Sequence, residues 1–316
     1  MIGSVRLPYN AIPVLPMASV SANVRGIRCL LIATSCLALN DACNKYVVAT
    51  LPVSEIVVLR AIISGGIVCA VIAMHGELRS LRALLRPQIM LRSLAESWIG
   101  PFLIIALAFM HQADVTAIYM VAPILVALAG FGHFKERFNW HLLAAAVAGF
   151  GGAWLFVNPG SGVFQAVALL PIGASLLQVL REVISRRMGV KAGHGAGVSN
   201  RVVLLSTSLF SLLTGGVLAA FFSWTTPVAN WSWPDAEAWL LIALASVLFY
   251  AGVTYTYEAY RGSDLSVVAP FRYWYLIVAI FTGLIAFGEV PSGRSILGMA
   301  IIVGAGAVVL WRQRAP

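Results

Sequence analysis

The chain has 316 residues, 60% of them hydrophobic and 10% charged, with a mean hydropathy of +0.90. That balance excludes an ordinary soluble domain or a disordered chain and leaves a protein that crosses a membrane many times. A net charge of +9 would suggest nucleic acid in a soluble protein, so the placement of the basic residues has to be read before their number.

Residues 1–26 carry Pro8, Pro13 and Pro16, lack a signal-peptide layout, and are expected to form a cytoplasmic tail. Ten apolar runs of about 20 residues follow, each long enough to cross a hydrocarbon core of roughly 30 Å. The first, about 27–48, contains the polar stretch NDACNK from Asn40 to Lys45. A charge at the bilayer centre costs roughly 2.5–3.5 kcal/mol on insertion scales, so such residues face a partner or a wet cavity. Asp41 and Lys45 lie four apart on one helix face. Either they neutralise each other, or Asn40, Asp41 and Asn44 offer hydrogen bonds to a polar solute.

The second span, about 54–74, carries Arg60, and the third, about 91–111, opens with Arg92 and Glu96 at pairing distance on one face. A salt bridge at the helix entrance and a role toward substrate are both open for Glu96. The fourth, about 114–133, holds Tyr119 and Pro123, and the proline removes a backbone hydrogen bond and can kink the helix beside a cavity. The fifth, about 138–157, has a small-residue face of Ala148, Gly149, Gly151 and Gly152, which admits a close neighbour and allows a homodimer.

After the short joint NPGSG, the sixth span, about 163–185, places Gln178, Arg181, Glu182 and Ser185 on one face. The seventh covers about 202–222, and the eighth, about 237–257, ends near Tyr255 and Glu258. The ninth, about 265–287, opens SVVAPFRYWYL, and the tenth covers about 294–311. No opposite charge in its own span cancels Arg272. It needs a cross-helix acid such as Glu96 or Glu258, or an anionic group on a substrate, since guanidinium favours bidentate contact with carboxylate or phosphate. Tyr119, Tyr255, Tyr273, Trp274 and Tyr275 can form an apolar wall with hydroxyl handles.

With the N-terminus in the cytoplasm, 16 of the 21 Lys and Arg fall in inner segments. That bias sets both termini inside and removes any need for a nucleic-acid partner. The five histidines and four cysteines show no metal-ligand spacing, and no phosphate-binding loop is present, so neither a metal, a cofactor nor ATP drive is expected.

The chain reads as built twice. Glu182, Arg186 and Arg201 stand 141 residues after Asp41, Lys45 and Arg60, while Gly283, Phe287, Glu289 and Gly304 stand 153 after Gly130, Phe134, Glu136 and Gly151. Five spans per half is odd, so the second half enters the membrane upside down. The basic HFKER of the first half and its counterpart FGEVP, which has no basic residue, then fall on opposite sides. The expected fold is an all-α membrane protein of ten transmembrane helices in two inverted five-helix repeats, residues 27–157 and 163–312.

The segments ADVTAIYMVAPILVALAGFGHFKER and SDLSVVAPFRYWYLIVAIFTGLIAFGEVP each run a proline-containing span into a Glu ahead of a glycine-rich span. In this the chain resembles EamA-type members of the drug/metabolite transporter superfamily over about residues 27–312. The second copy keeps the family's Gly-Glu as Gly288-Glu289, whereas in the first Lys135 precedes Glu136. The resemblance implies ten-helix permeases similar to exporters of amino acids and other metabolites. The expectation is therefore a secondary transporter of the bacterial-type inner membrane, an exporter of an amino acid or similar small polar metabolite. Its substrate residues are expected among Asn40, Asp41, Asn44, Arg60, Glu96, Tyr119, Gln178, Arg181, Tyr255, Glu258, Arg272 and Tyr275. A membrane-embedded enzyme using intramembrane carboxylates is the alternative from another class, though no nucleophile–base motif supports it; a non-transporting scaffold or sensor is the third.

Overall fold

A computed structural model of the chain describes residues 20–125, 163–187, 199–225, 233–260 and 268–312, with isolated positions between them. The described residues form nine α-helices and two 3₁₀ segments. In order these are α1 (Val20–Val47), α2 (Val53–Met74), a 3₁₀ segment (Glu77–Leu85), α3 (Pro87–Phe109) and α4 (Gln112–Tyr119), then α5 (Val163–Arg187), α6 (Asn200–Thr225) and α7 (Ala236–Tyr260). A second 3₁₀ segment (Ala269–Tyr273) leads into α8 (Trp274–Phe287), and α9 (Gly293–Arg312) follows. The expected fifth span, with Lys135 and Glu136 just before it, and residues 1–19 lie largely outside the described residues.

Six helices, α1, α2, α3, α5, α6 and α7, are long and apolar enough to cross a membrane. The fourth and ninth spans are not continuous helices. Helix α4 stops at Tyr119, a turn occupies Met120 and Val121, and helix resumes over 122–125. Pro123 has no N–H to offer the Tyr119 carbonyl, which accounts for the interruption there. The ninth span is entered through the 3₁₀ turn at Ala269–Tyr273, with a proline in its first positions. Between α2 and α3 the chain forms the 3₁₀ segment Glu77–Leu85.

The long helices pack in pairs: α1 along α7, α3 along α5, and α2 along α6, while α4 and α8 pack on each other. Lipid tails are as apolar as leucine, so close packing and hydrogen bonds hold such seams more than exclusion from water does. Each of the three long seams has a glycine at a point of close approach. A Cβ on Gly252 would lie 2.8 Å from Leu37 Cγ, one on Gly215 2.5 Å from Val58 Cγ2, and one on Gly173 3.0 Å from Phe102 Cε2. Gly152, from the small-residue face expected to allow a homodimer, abuts Gly298 and Ile302 of α9.

Hydroxyls tie α6 to its neighbours. Ser64 Oγ is 3.3 Å from Ser208 Oγ, Ser97 Oγ is 2.9 Å from Thr214 Oγ1, and Thr207 donates to Ser93 at 3.5 Å. The main apolar core gathers Ala38, Leu107, Met110, Ile118, Leu276 and Ile302 around α4. That burial leaves the polar face of α1 turned toward α2, α4 and α8, where the site lies.

Candidate functional site

Asn40, Asp41 and Asn44 occupy one stretch of α1 and are 5%, 7% and 3% exposed. Asn40 Nδ2 donates to Asp41 Oδ1 at 2.9 Å, and the Tyr275 hydroxyl on α8 donates to Asp41 Oδ2. Arg60 on α2 donates to Asn40 Oδ1 at 2.8 Å, and its guanidinium carbon sits 5.6 Å from the centre of the Phe249 ring. Arg60 therefore reaches Asp41 through the Asn40 amide. No cation among the described residues touches the carboxylate itself.

A second polar group joins α3 to α5. Arg181 donates to Glu96 at 2.7 Å, and Arg92 stands 3.7 Å from the same carboxylate. Arg92 also donates from Nε to Ser185 at 3.1 Å. The Tyr119 hydroxyl donates to Gln178 Oε1 at 2.9 Å, linking α4 to α5.

Arg272, in the 3₁₀ turn before α8, is half-buried. Its charge acts on Glu96, Tyr119 and Tyr275. It makes no hydrogen bond or ion pair with a described residue. The acids that the sequence suggests for it are engaged elsewhere: Glu96 with Arg181, and Glu258 with Arg25 at 3.4 Å near the start of α1. Tyr255 lies exposed on α7. Of the twelve expected residues, then, Asn40, Asp41, Arg60 and Tyr275 come together, as do Glu96 with Arg181 and Tyr119 with Gln178, whereas Glu258 lies at one end of the bundle.

One arrangement differs from the first of the two readings that the sequence leaves open for Asp41 and Lys45. Lys45 does not pair with Asp41; its Nζ is 2.5 Å from Glu289 Oε1 and also donates to the Met110 carbonyl. Glu289 Oε2 accepts the backbone N–H of Gln112 at 2.9 Å, capping the otherwise unsatisfied N-terminus of α4. Gln112 in turn donates to the Ala38 carbonyl at 2.7 Å and accepts from Thr282 at 3.0 Å. Local chemistry explains the position of Glu289. Gly288 takes φ +65°, a left-handed value glycine adopts without steric cost, and the chain turns back so that Glu289 N bonds the Gly283 carbonyl at 3.0 Å. The carboxylate then lies where a Cβ on Gly283 would be 2.9 Å away. The signal in the sequence is an acid directly after a glycine, Gly288-Glu289, whereas in the first half Lys135 stands before the matching Glu136.

Residues 24–158 match the EamA-like transporter family. Over those residues the chain carries an EamA-like domain. The chain is 27% identical to a riboflavin transporter of Vibrio cholerae over 59% of its own length and 58% of the relative's. It is 25% identical to a riboflavin transporter of Rhizobium johnstonii over 68% of its length and 65% of that protein's. These matches span about three-fifths of the relatives' length. An S-adenosylmethionine uptake transporter of Rickettsia prowazekii is 20% identical, with 92% of this chain and 94% of that one covered. A solved crystal structure superposes with a TM-score of 0.62 at 20% identity, covering 93% of this chain and 99% of the other, which shows a shared fold. The family match and the helix composition make the chain an integral membrane protein.

Proposed function

We propose that this protein is a secondary transporter that moves a small polar metabolite across a bacterial-type inner membrane by alternating access between two oppositely inserted five-helix repeats. The repeat reading is supported by the helix pairing. Exchanging α1 for α5, α2 for α6, α3 for α7 and α4 for α8 turns the α1–α7 seam into the α5–α3 seam. It also turns the α1–α8 contact into α5–α4, and it maps α2–α6 and α4–α8 onto themselves. In inverted-repeat carriers the solute site lies near the midplane where the halves meet. Asp41 with Tyr275, and Glu96 with Arg181, are contacts between the two halves.

Arg272 is the observation that carries the reading. Among the described residues it touches no acid, although its charge acts on Glu96, and a guanidinium in a membrane span is costly unless it faces water, a partner or an anionic ligand; the tyrosines around it suit a small polar cargo. With both termini in the cytoplasm, the Lys45–Glu289 end faces outward and the Arg25–Glu258 end inward. Amino-acid export, the expectation from sequence, and uptake of the kind named for the Rickettsia relatives are separated by the direction of flux.

Counterflow in liposomes, with labelled S-adenosylmethionine, riboflavin and a panel of L-amino acids, tests the proposal. Wild-type protein is expected to exchange at least one label chemically unchanged, and Arg272→Ala to lose that exchange at least tenfold, a factor equivalent to about 1.4 kcal/mol, while inserting normally. Undiminished exchange by the variant removes Arg272 from the site; chemical conversion of the label without movement sinks transport itself.

A further inference from the structure

Between α2 and α3 the chain runs Leu78-Arg79-Ser80, Leu81-Arg82-Ala83, Leu84-Leu85-Arg86, three triplets that each open on leucine. A 3₁₀ helix has three residues per turn, so residues three apart stack on one side. The leucines that open the triplets then occupy one stripe, and Arg79, Arg82 and Leu85 occupy the next. The first stripe anchors the segment. Leu81 and Leu84 pack against the cluster of Val68, Ile72, Leu204 and Leu205 between α2 and α6, and Ala83 joins Ile89 and Val202. Val68 and Ile72 belong to about the last two turns of α2, which ends at Met74. Because α2 and α3 are both long and apolar enough to cross the membrane, the segment that joins them lies against the bundle at a membrane face.

The second stripe is turned away from the bundle. Leu85 is 80% exposed, Arg82 is exposed, and so is Arg86, the extended residue that ends the segment. Neither arginine makes a hydrogen bond or ion pair with a described residue. Glu77, the one acid between Met74 and Glu96 in the sequence, is engaged by Arg201 at the start of α6. Met74 and Met90, on the helices at either end of the segment, are exposed as well.

An apolar side chain at this height gains by entering the acyl region of a bilayer, and a guanidinium takes a phosphate through paired N–H donors. A phospholipid offers both groups in one molecule. A soluble phosphate would leave Leu85 in water, and a zwitterionic lipid brings a cation that competes for its own phosphate, whereas a lipid of net negative charge leaves that phosphate to the arginines. We propose that the Glu77–Leu85 segment, with Arg86, is a docking surface for an anionic phospholipid, its headgroup phosphate on Arg82 and Arg86 and its acyl chain over Leu85.

The test uses the purified full-length protein in detergent. It reads thermal stabilisation by dioleoylphosphatidylglycerol, by dioleoylphosphatidylcholine, which has the same acyl chains, and by inorganic phosphate. Stabilisation by the phosphatidylglycerol is expected at a concentration at least tenfold below that needed for either of the others. Arg82→Gln/Arg86→Gln is expected to raise that concentration at least tenfold, and Leu85→Ser at least threefold. All three side chains are exposed, and unliganded melting temperatures check that the variants fold. Arg28→Gln/Arg312→Gln, which removes the same charge elsewhere in the chain, is expected to leave the requirement unchanged. Equal stabilisation by phosphatidylcholine or by phosphate, or an unchanged requirement in either Arg82→Gln/Arg86→Gln or Leu85→Ser, would overturn the proposal. So would an equal loss in Arg28→Gln/Arg312→Gln, which would mean a diffuse attraction between basic protein and acidic lipid.

Discussion

Lys45 illustrates how partner choice in a membrane differs from partner choice along a helix. An exposed pair four residues apart is worth about 0.2–0.5 kcal/mol, too little to hold Lys45 to Asp41 once a better acid is within reach. Glu289 is better because it also caps α4, and its side chain is only 11% exposed beside Lys45 at 13%. Removing one member strands the other. Lys45→Met is expected to destabilise the protein by about 3–5 kcal/mol, seen as a lower melting temperature in detergent, with part of the loss recovered in Lys45→Met/Glu289→Gln. Simple addition of the two single effects would show that the pair is not coupled. At this scale the sequence exposes which residues are out of place in lipid, among them Asp41, Arg60 and Arg272, because cost depends on residue type and depth. It does not expose who meets whom, because Lys45 and Glu289 lie on segments whose approach is set by packing far along the chain.

At the scale of elements, the six long helices are legible because an apolar run of about 20 residues has few other uses. The third, expected over about 91–111, runs Pro87–Phe109, and the eighth, expected over about 237–257, runs Ala236–Tyr260. What periodicity cannot reveal is where a span breaks. Pro123 signals a kink, and the structure places a full interruption just before it; the 3₁₀ entry at Ala269–Tyr273 has only Pro270 as a clue. The seams depend on small residues whose role emerges only in contact. Gly252→Val would push Leu37 and the Ala33 carbonyl, whose oxygen lies 3.2 Å from where a Cβ on Gly252 would stand, and force α1 from α7. A loss of about 1–3 kcal/mol is expected, read by thermal unfolding, whereas Gly216→Ala on α6, whose Cβ would meet nothing within 4 Å, is expected to be close to neutral. Equal effects from the two would mean that close approach is not what the α1–α7 seam requires.

For the whole molecule, the proposed inversion makes a prediction about sides of the membrane that no single contact makes. In intact cells, cysteine introduced at Lys135 is expected to be shielded from a membrane-impermeant maleimide, and cysteine introduced at Val290 to react with it. Labelling of both from the same side would end the two-repeat reading. The proposed duplication rests in the sequence on matched charges and glycines at two offsets, whereas the exchange symmetry of the helix pairs belongs to three dimensions and has no counterpart in spacing along the chain.

The hydroxyls between α6 and its neighbours carry a mechanical consequence. Ser97 also donates to the Leu94 carbonyl at 2.8 Å, Thr207 to Val203 at 3.0 Å and Ser208 to Leu204 at 3.2 Å. Each keeps a bond to its own helix whether or not the helix beside it is there. Rungs of this kind can come apart and rejoin with at least one hydroxyl of each still bonded within its own helix, so the ladder behaves as a fastener made for repeated use.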